Sequence, residues 1–303
     1  MIKFTKMEGL GNDYVYVDCT KKSNEEIDYI SGLANVISDR HFGVGSDGLI
    51  LICKSDIADF KMQMYNQDGS QAQMCGNGIR CVGKYVYDKG LTKSSSITVE
   101  TLAGIKELDF DIKENMVESV TVNMGNPILE NELIPCLADT IENKDGIEIS
   151  HIKLHVLDRD FDFTCVSMGN PHAVAIVDDV DNLDVEKYGK IVESDMHFPQ
   201  KTNVEFIEIV NRSTIKMRVW ERGSGETLAC GTGASASVVA CVLNGVIDDN
   251  KEIEVKLLGG ALIIRWNKSV YMKGPAKTVF EGEYYDFGDT NQNQENNWLC
   301  VIL

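Results

Sequence analysis

The sequence is poor in the features that mark secreted, membrane-bound or nucleic-acid-binding proteins. No stretch approaches the roughly 18 apolar residues of a membrane-spanning helix, and the start, MIKFTKMEGLGNDY, has no apolar segment of signal-peptide length. Basic residues are outnumbered, with 29 Lys and Arg against 47 Asp and Glu and a formal net charge of -18. Such a charge disfavours contact with nucleic acid and with anionic membranes. We therefore expect a cytoplasmic protein that binds small molecules.

Two further absences exclude common kinds of site. The nine cysteines include no Cys-x-x-Cys pair, which argues against a disulfide framework and a zinc knuckle. The five histidines have no acidic partner at metal-ligand spacing, so we expect no metal site. Residues 43–48 match the dinucleotide-binding pattern Gly-x-Gly-x-x-Gly, but they precede a strand-like run instead of opening a helix. We interpret them as a turn.

The most informative feature present is an internal repeat. KMQMYNQDGSQAQMCG (61–76) and KMRVWERGSGETLACG (216–231) share one layout at an offset of 155 residues, and each leads into a Cys-Gly-x-Gly sequence. SDRHF (38–42) and SDMHF (194–198) match at four of five positions. A chain of 303 residues accommodates two domains of roughly 150 residues each. We predict one domain from residues 1–127 plus about 277–303 and a second from 128–276, with the polar stretch 131–146 crossing between them.

Local patterns predict an α/β fold in both halves. Runs rich in β-branched residues predict strands at 14–17, 49–52, 60–65, 97–102 and 117–124, and again at 174–177, 204–210, 215–220, 253–258 and 262–266. Ser23 and Glu26 form a capping box ahead of an apolar helical stripe that reaches Ile37. A helix that begins at Asp184 is its counterpart, with Val185, Tyr188, Ile191 and Val192 facing inward. A second helix in each half begins at Cys-Gly-x-Gly and ends near Gly90 or Gly245. The Asn-rich and Gln-rich stretch 289–297 is typical of an exposed loop or tail.

The repeated thiols, Cys75 and Cys230, suggest proton transfer. A thiol at a helix N-terminus lies beside unpaired N–H groups, which should lower its pKa. The glycines that follow each cysteine let the same N-terminus approach an anion such as a carboxylate. Inversion of a stereocentre by proton exchange needs a base on one face and an acid on the other, and two equivalent thiols meet that need. A lone Cys-Gly would more often be a structural cysteine, but the pairing favours function.

The sequence resembles the diaminopimelate epimerase family from Lys3 to about Gly282. Seven motifs in order carry the resemblance: MEGLGNDY, RHFGVGSDGLI, MYNQDGS, MCGNGIRC, SMGNPH, TNVEF and ERGSGETLACGTGA. It implies two pseudo-symmetric α/β domains, each a mainly antiparallel sheet wrapped round a central helix, with the active site in the cleft between them. It also implies interconversion of LL- and meso-diaminopimelate without pyridoxal phosphate, with Cys75 and Cys230 as the acid and base, and a homodimer.

Carried over position by position, the resemblance implies a set of substrate ligands and two residues that tune the thiols. The ligands are Asn12, Asn66, Gly76, Asn77, Asn170, Asn203, Glu221, Arg222, Gly231 and Thr232, and the tuning residues are His172 and Glu221. Glu8 stands where many relatives have histidine, and Gly48 stands where some have a glutamine ligand. Two alternatives remain open. One is another two-cysteine racemase, for proline, hydroxyproline or histidine, and the other is a non-catalytic redox or ligand-binding protein.

Overall fold

A computed structural model describes residues 1–144 and 146–285, together with the backbone of residues 299–302. The predicted tail at 289–297 lies outside the described residues. The chain divides into two compact units, Met1–Val122 with Pro275–Leu303, and Asn123–Gly274. The prediction that residues 131–146 cross between domains is wrong, because that stretch lies wholly within the second unit.

The first unit consists of a mostly antiparallel sheet and three helices. Its strands are β1 (Ile2–Gly9), β2 (Asn12–Cys19), β3 (Gly48–Cys53), β4 (Phe60–Asn66), β5 (Gln71–Ala72), β6 (Ser96–Thr101), β7 (Gly104–Lys113), β8 (Met116–Gly125), β19 (Lys277–Tyr285) and β20 (Leu299–Ile302). The order across the sheet is β20-β19-β1-β2-β3-β4-β6-β7-β8. Only the pairs β2–β3 and β4–β6 are parallel in this order. The helices are α1 (Asn24–Ser31), α2 (Ala34–Ser38) and α3 (Gly76–Asp88).

The second unit repeats this arrangement. Its strands are β9 (Thr140–Lys144), β10 (Ile147–Val156), β11 (Arg159–Ser167), β12 (Pro171–Ile176), β13 (Asn203–Asn211), β14 (Thr214–Glu221), β15 (Gly225–Glu226), β16 (Ile253–Leu257), β17 (Gly260–Asn267) and β18 (Ser269–Pro275). Their order is β9-β10-β11-β12-β13-β14-β16-β17-β18, again with two parallel pairs, β12–β13 and β14–β16. The helices are α4 (Val185–Glu193) and α5 (Gly231–Leu243). The predicted repeat and α/β fold are confirmed.

The helices that follow the cysteines are the most deeply buried. α3 packs on β1, β2, β7 and β19, and α5 packs on β11, β12, β13, β14 and β17. Both end as predicted at a left-handed glycine, with φ of 71° at Gly90 and 69° at Gly245. Six other cysteines are buried, as expected for core residues: Cys19, Cys53, Cys81, Cys136, Cys165 and Cys241.

The two outer helices match the sequence pattern in part. The capping box is confirmed, because Ser23 and Glu26 bond each other's backbone at the start of α1. The predicted continuous helix is interrupted at Gly32, a poor helix former, so that α2 begins anew at Ala34. Asp184 caps α4 as predicted. Ile191 was expected to face inward, but it is 42% exposed.

Candidate functional site

Each unit places one cysteine at the start of its buried helix. Cys75 is the N-cap of α3, and its sulfur accepts a hydrogen bond from Gly78 N at 3.4 Å. Cys230 is the N-cap of α5, and its sulfur accepts from Gly233 N at 3.3 Å. The prediction that both helices begin at the Cys-Gly-x-Gly sequences is confirmed. The first N–H groups of a helix have no acceptor within the helix, so each thiol lies beside a set of donors suited to an anion.

Little space is left for a side chain two residues into each helix because the helix approaches the sheet closely. A Cβ at Gly78 would lie 2.8 Å from Ile50 Cδ1, and a Cβ at Gly233 would lie 2.6 Å from Glu205 Oε1. Ile50 and Glu205 are equivalent under the 155-residue offset. The two helix starts are therefore built alike in backbone, but an apolar side chain meets one and a carboxylate meets the other.

In the first unit, Asn12 lies against the thiol. It follows the tight turn Leu10-Gly11, whose φ angles of 59° and 85° suit a two-residue hairpin. Cys75 Sγ donates to Asn12 Oδ1 at 3.1 Å, while Asn12 Nδ2 donates to Asp47 Oδ2 at 2.7 Å. The amide oxygen of Asn12 is thus the group presented to the thiol.

A buried phenol is the second polar neighbour of this thiol. The Tyr14 hydroxyl hydrogen-bonds with Asn12 and Cys75, and burial, aided by the charges of Cys75 and Asp47, raises its pKa well above the ordinary value. Its ring crosses β3 at Gly48, where a Cβ would lie 2.1 Å from the Tyr65 carbonyl oxygen and 3.0 Å from Tyr14 Cε1. Glycine at position 48 therefore lets Tyr14 reach the thiol.

Two other predicted ligands of the first unit make different contacts. Asn77 is buried in the first turn of α3, where its Oδ1 accepts from Arg80 Nη1 at 3.0 Å. Arg80 Nη1 also donates to the Gly76 carbonyl at 3.3 Å, so its guanidinium braces the helix start. Asn66 belongs to the β4–β5 hairpin, and its Nδ2 donates to Ser70 Oγ at 3.0 Å.

In the second unit, the environment of the thiol raises its pKa. Burial raises the pKa of Cys230 well above its ordinary value, and the carboxylates of Glu221 and Glu205 raise it further. Hydrogen bonds from Thr232 and from Gly233 N act in the opposite direction. The expectation that the helix N-terminus lowers the thiol pKa is therefore wrong for Cys230. The local effect is present, but burial and two neighbouring carboxylates outweigh it.

A chain of polar side chains leads from the interior to this thiol. Fully buried Glu205 contacts fully buried His172, with 2.7 Å between Oε1 and Nδ1. His172 Nε2 lies 3.1 Å from Asn170 Oδ1, and Asn170 Nδ2 donates to Thr232 Oγ1 at 3.4 Å. Thr232 Oγ1 is in turn 3.5 Å from Cys230 Sγ. Because the amide oxygen of Asn170 only accepts, His172 Nε2 carries the proton of that bond.

Glu221 lies at the end of β14 and touches the same thiol. Its carboxylate hydrogen-bonds with the Thr227 hydroxyl and with Cys230, and burial raises the pKa of the carboxyl. The nearby charge of Glu205 acts in the same direction, while His172 opposes it. Two carboxyl groups, Glu221 and Glu205, therefore act on Cys230.

The remaining two predicted ligands are connected to each other. Asn203 is buried, and its Nδ2 donates to the Pro171 carbonyl at 2.8 Å while its Oδ1 accepts from Arg222 N at 2.9 Å. The Asn203 amide thus links the backbone at Pro171 to the backbone at Arg222. The Arg222 guanidinium is exposed and donates to the Gln200 carbonyl at 3.1 Å, which leaves further N–H donors of its planar fork available for a carboxylate.

The structure therefore groups most predicted site residues around the thiol of their own unit. Asn12 and the first turn of α3 surround Cys75, and His172, Asn170, Thr232 and Glu221 surround Cys230. Sequence reasoning missed Tyr14, Asp47 and Glu205. Glu205 did leave a signal, since it is one acidic residue within the apolar run Val204–Ile207 of β13.

Other features of the described residues lie apart from the thiols. A cavity of about 180 Å³ lies at the far end of α5 from Cys230, where it is lined by residues that include His151, Asp162 and Asn244. Within the described ranges, no cluster of three or more His, Cys, Asp or Glu side chains could hold a metal ion. None of the helices in the same ranges is long and apolar enough to cross a membrane.

Solved structures of known proteins share this fold. A phenazine biosynthesis protein of the PhzF family from Bacillus anthracis matches with a TM-score of 0.65 at 18% identity, over 92% of this chain and 97% of its own. A hydroxyproline epimerase from Agrobacterium vitis matches with a TM-score of 0.64 at 13% identity, over 92% and 91%. These likenesses show the fold, a repeat of two similar units.

Sequence comparison is more specific. The family model for diaminopimelate epimerase matches residues 4–130 and 164–279. A diaminopimelate epimerase from Methanococcus maripaludis is 55% identical over 285 residues, which cover 93% of this chain and 99% of the relative. One from Acetivibrio thermocellus is 54% identical over 286 residues, with 93% and 98% covered. The chain belongs to the diaminopimelate epimerase family.

Proposed function

We propose that the protein interconverts LL- and meso-2,6-diaminopimelate, in lysine and peptidoglycan precursor biosynthesis, by moving the α-proton between Cys75 and Cys230. The observation that carries this proposal is the pair of repeat-equivalent thiols, each the N-cap of a buried helix, in a chain of this family. A thiolate removes the α-proton from one face, and the other thiol returns a proton to the opposite face. In the reverse direction the two exchange roles.

The groups around each thiol have complementary tasks in this proposal. Backbone N–H groups at Gly76, Asn77, Gly231 and Thr232 would bind the α-carboxylate and disperse the negative charge that grows as the α-proton leaves. Arg222 would bind a carboxylate through its planar fork. Glu221 would hold the α-ammonium. Asn12, Asn66 and Asn170 remain proposed ligands, and we assign Asn203 the further task of holding the Arg222 backbone in place.

The proposed reaction is tested by proton exchange. In heavy water, the purified protein should incorporate deuterium at the α-carbon of diaminopimelate as the isomers interconvert. Cys75→Ala and Cys230→Ala should each abolish epimerisation. Cys81→Ala is the matched control, because Cys81 is buried in α3 and its repeat counterpart is Ala236. Either thiol variant epimerising at the rate of the control would contradict the two-thiol assignment.

The identity of the substrate requires a separate measurement. Proline, hydroxyproline and histidine are the substrates of the alternative racemases, and each should be tested beside diaminopimelate in heavy water. Diaminopimelate should exchange fastest, because Arg222 offers a cationic contact to a second carboxylate that proline, hydroxyproline and histidine lack. Faster exchange with any of the three alternatives would refute the proposed substrate.

We further propose that each compact unit is one epimerase domain, that the protein acts in the cytoplasm and that it forms a homodimer. The formal charge of -18 supports a small-molecule ligand and no nucleic-acid or membrane partner. Light scattering after size exclusion tests the dimer, and a mass of one 33.6 kDa chain would reject it.

A further inference from the structure

Asp47 fixes the direction in which the amide of Asn12 points. Its Oδ2 accepts from Asn12 Nδ2 at 2.7 Å and from Asp13 N at 3.0 Å. If the Asn12 amide were turned over, its oxygen would face a carboxylate oxygen at that short distance, and two acceptors repel each other. The amide oxygen is therefore the end of Asn12 that faces Cys75 Sγ.

Asp47 is itself held in place from several sides. Arg40 Nη2 bridges Asp47 Oδ1 at 2.8 Å and Asp13 Oδ1 at 2.7 Å. The Asp47 backbone N donates to the Asp13 carbonyl at 2.8 Å, and the Lys6 ammonium pairs with the Asp13 carboxylate. Asp47 thus has little freedom to release Asn12.

The second unit shows that the direction of this amide is not dictated by the repeat. Asn170 follows Gly169 just before β12, as Asn12 follows Gly11 at the start of β2, and it turns its oxygen to His172 Nε2 and its Nδ2 to Thr232. The residue equivalent to Asp47 at the 155-residue offset is Thr202, which carries no charge. A carboxylate at this position is therefore present in the first unit and absent from the second.

We propose that Asp47 is a positioning residue that keeps Cys75 protonated in the resting enzyme, by holding Asn12 as a hydrogen-bond acceptor. An amide oxygen can accept the S–H proton but cannot bond a thiolate, so it stabilises the thiol. Cys75 therefore begins the cycle as the acid of the pair. This inference rests on the proposed function for its meaning in catalysis, although the effect of Asp47 on the thiol can be measured without turnover.

Other ionisable groups also act on Cys75, and the test must separate them from Asp47. These groups are Tyr14 and Tyr16 on β2 and Arg80 and Cys81 on α3. Glu8 on β1 acts in turn on Arg80 and Cys81. Removing the charge of Asp47 would lower the thiol pKa even if Asn12 did not turn. The informative comparison is therefore between two variants that both lack this charge.

The experiment compares Asp47→Ala with Asp47→Asn. Asparagine removes the charge but keeps an oxygen that accepts from Asn12, whereas alanine lets the Asn12 amide turn and donate to the sulfur. The rate at which iodoacetamide modifies Cys75, measured across pH by mass spectrometry of its peptide, gives the titration midpoint. We expect the midpoint of the alanine variant to lie about one pH unit below that of the asparagine variant.

Two further variants keep the test decisive. Arg40→Gln loosens the same loop but removes a positive charge, so its midpoint should not fall. Asp47→Leu, which also lacks a side-chain acceptor, replaces the alanine variant if that protein folds poorly. Equal midpoints for the alanine and asparagine variants, or a higher midpoint for alanine, would overturn the proposal. If the midpoints differ as expected but Cys75→Ala still epimerises, the positioning role of Asp47 stands and the proposed function fails.

Discussion

Gly233 offers a sharp test of how the second helix start is built. A Cβ there would lie 2.6 Å from Glu205 Oε1, which must retreat by about 0.8 Å to reach an ordinary contact of 3.4 Å. The same oxygen lies 2.7 Å from His172 Nδ1, and both side chains are fully buried. Breaking a buried ionic or hydrogen-bonded pair costs about 3–5 kcal/mol. The gain in helix propensity from glycine to alanine is only about 0.5–1 kcal/mol.

Gly233→Ala should therefore lower the free energy of unfolding by about 2–4 kcal/mol, which corresponds to a fall in Tm of roughly 5–12 °C for a unit of roughly 150 residues, the size of the unit that holds Gly233. Gly78→Ala is the matched control, because its Cβ would meet the flexible end of Ile50 at 2.8 Å and that methyl group can shift. Its Tm should stay within about 3 °C of the parent. Both melting points are measured by thermal denaturation. A Gly233→Ala protein that melts at or above the control would refute this account of Glu205 and His172.

Three more predictions concern the chemistry. Glu205→Gln removes a charge that raises the pKa of Cys230. The limb of the pH–kcat/KM profile that reports the Cys230 thiolate should therefore move to lower pH. An unmoved limb would contradict the role of Glu205. Arg222→Lys should lower kcat/KM about tenfold or more, mainly by raising KM, because the lysine ammonium cannot bind both oxygens of a carboxylate as the planar guanidinium does. Unchanged kinetics would show that Arg222 does not bind the substrate. Iodoacetamide should modify Cys75 before Cys230, which is only 6% exposed, and peptide mass spectrometry would reveal the reverse order.

Helix starts were the most predictable part of the fold. A capping box such as Ser23 with Glu26, or a Cys-Gly-x-Gly sequence, is a short-range signal that acts within one turn of chain. Ten of the twenty strands within the described residues were missed: β1, β5, β7, β9, β10, β11, β15, β18, β19 and β20. In β1 the reason is visible, since Lys6 is buried there through its contacts with Gly45 and Asp13, which come from other parts of the chain. Such tertiary partners leave no local pattern.

In the candidate site, too, the residues in local motifs could be predicted and those that depend on tertiary contacts could not. Cys75 and Cys230 could be found from the repeat because each lies in a recurring local motif. Asp47 and Glu205 act through residues distant in sequence, so their importance depends on the order of the strands, with β3 beside β2 and β13 beside β12. The predicted direction of the Cys230 pKa shift was wrong for a related reason, since burial and the neighbouring carboxylates are properties of the folded unit.

The asymmetry of the two halves has a consequence for when Cys230 becomes a base. Its pKa is raised by burial and by the carboxylates of Glu221 and Glu205, so the thiolate is disfavoured while no cation is bound nearby. In the proposed complex the substrate ammonium lies at Glu221 and offsets that negative charge. The thiolate then becomes accessible beside the donors of Thr232 and Gly233, which already favour it. Cys230 would thus be activated by the substrate it deprotonates, and the enzyme without substrate would not carry a reactive thiolate at this position.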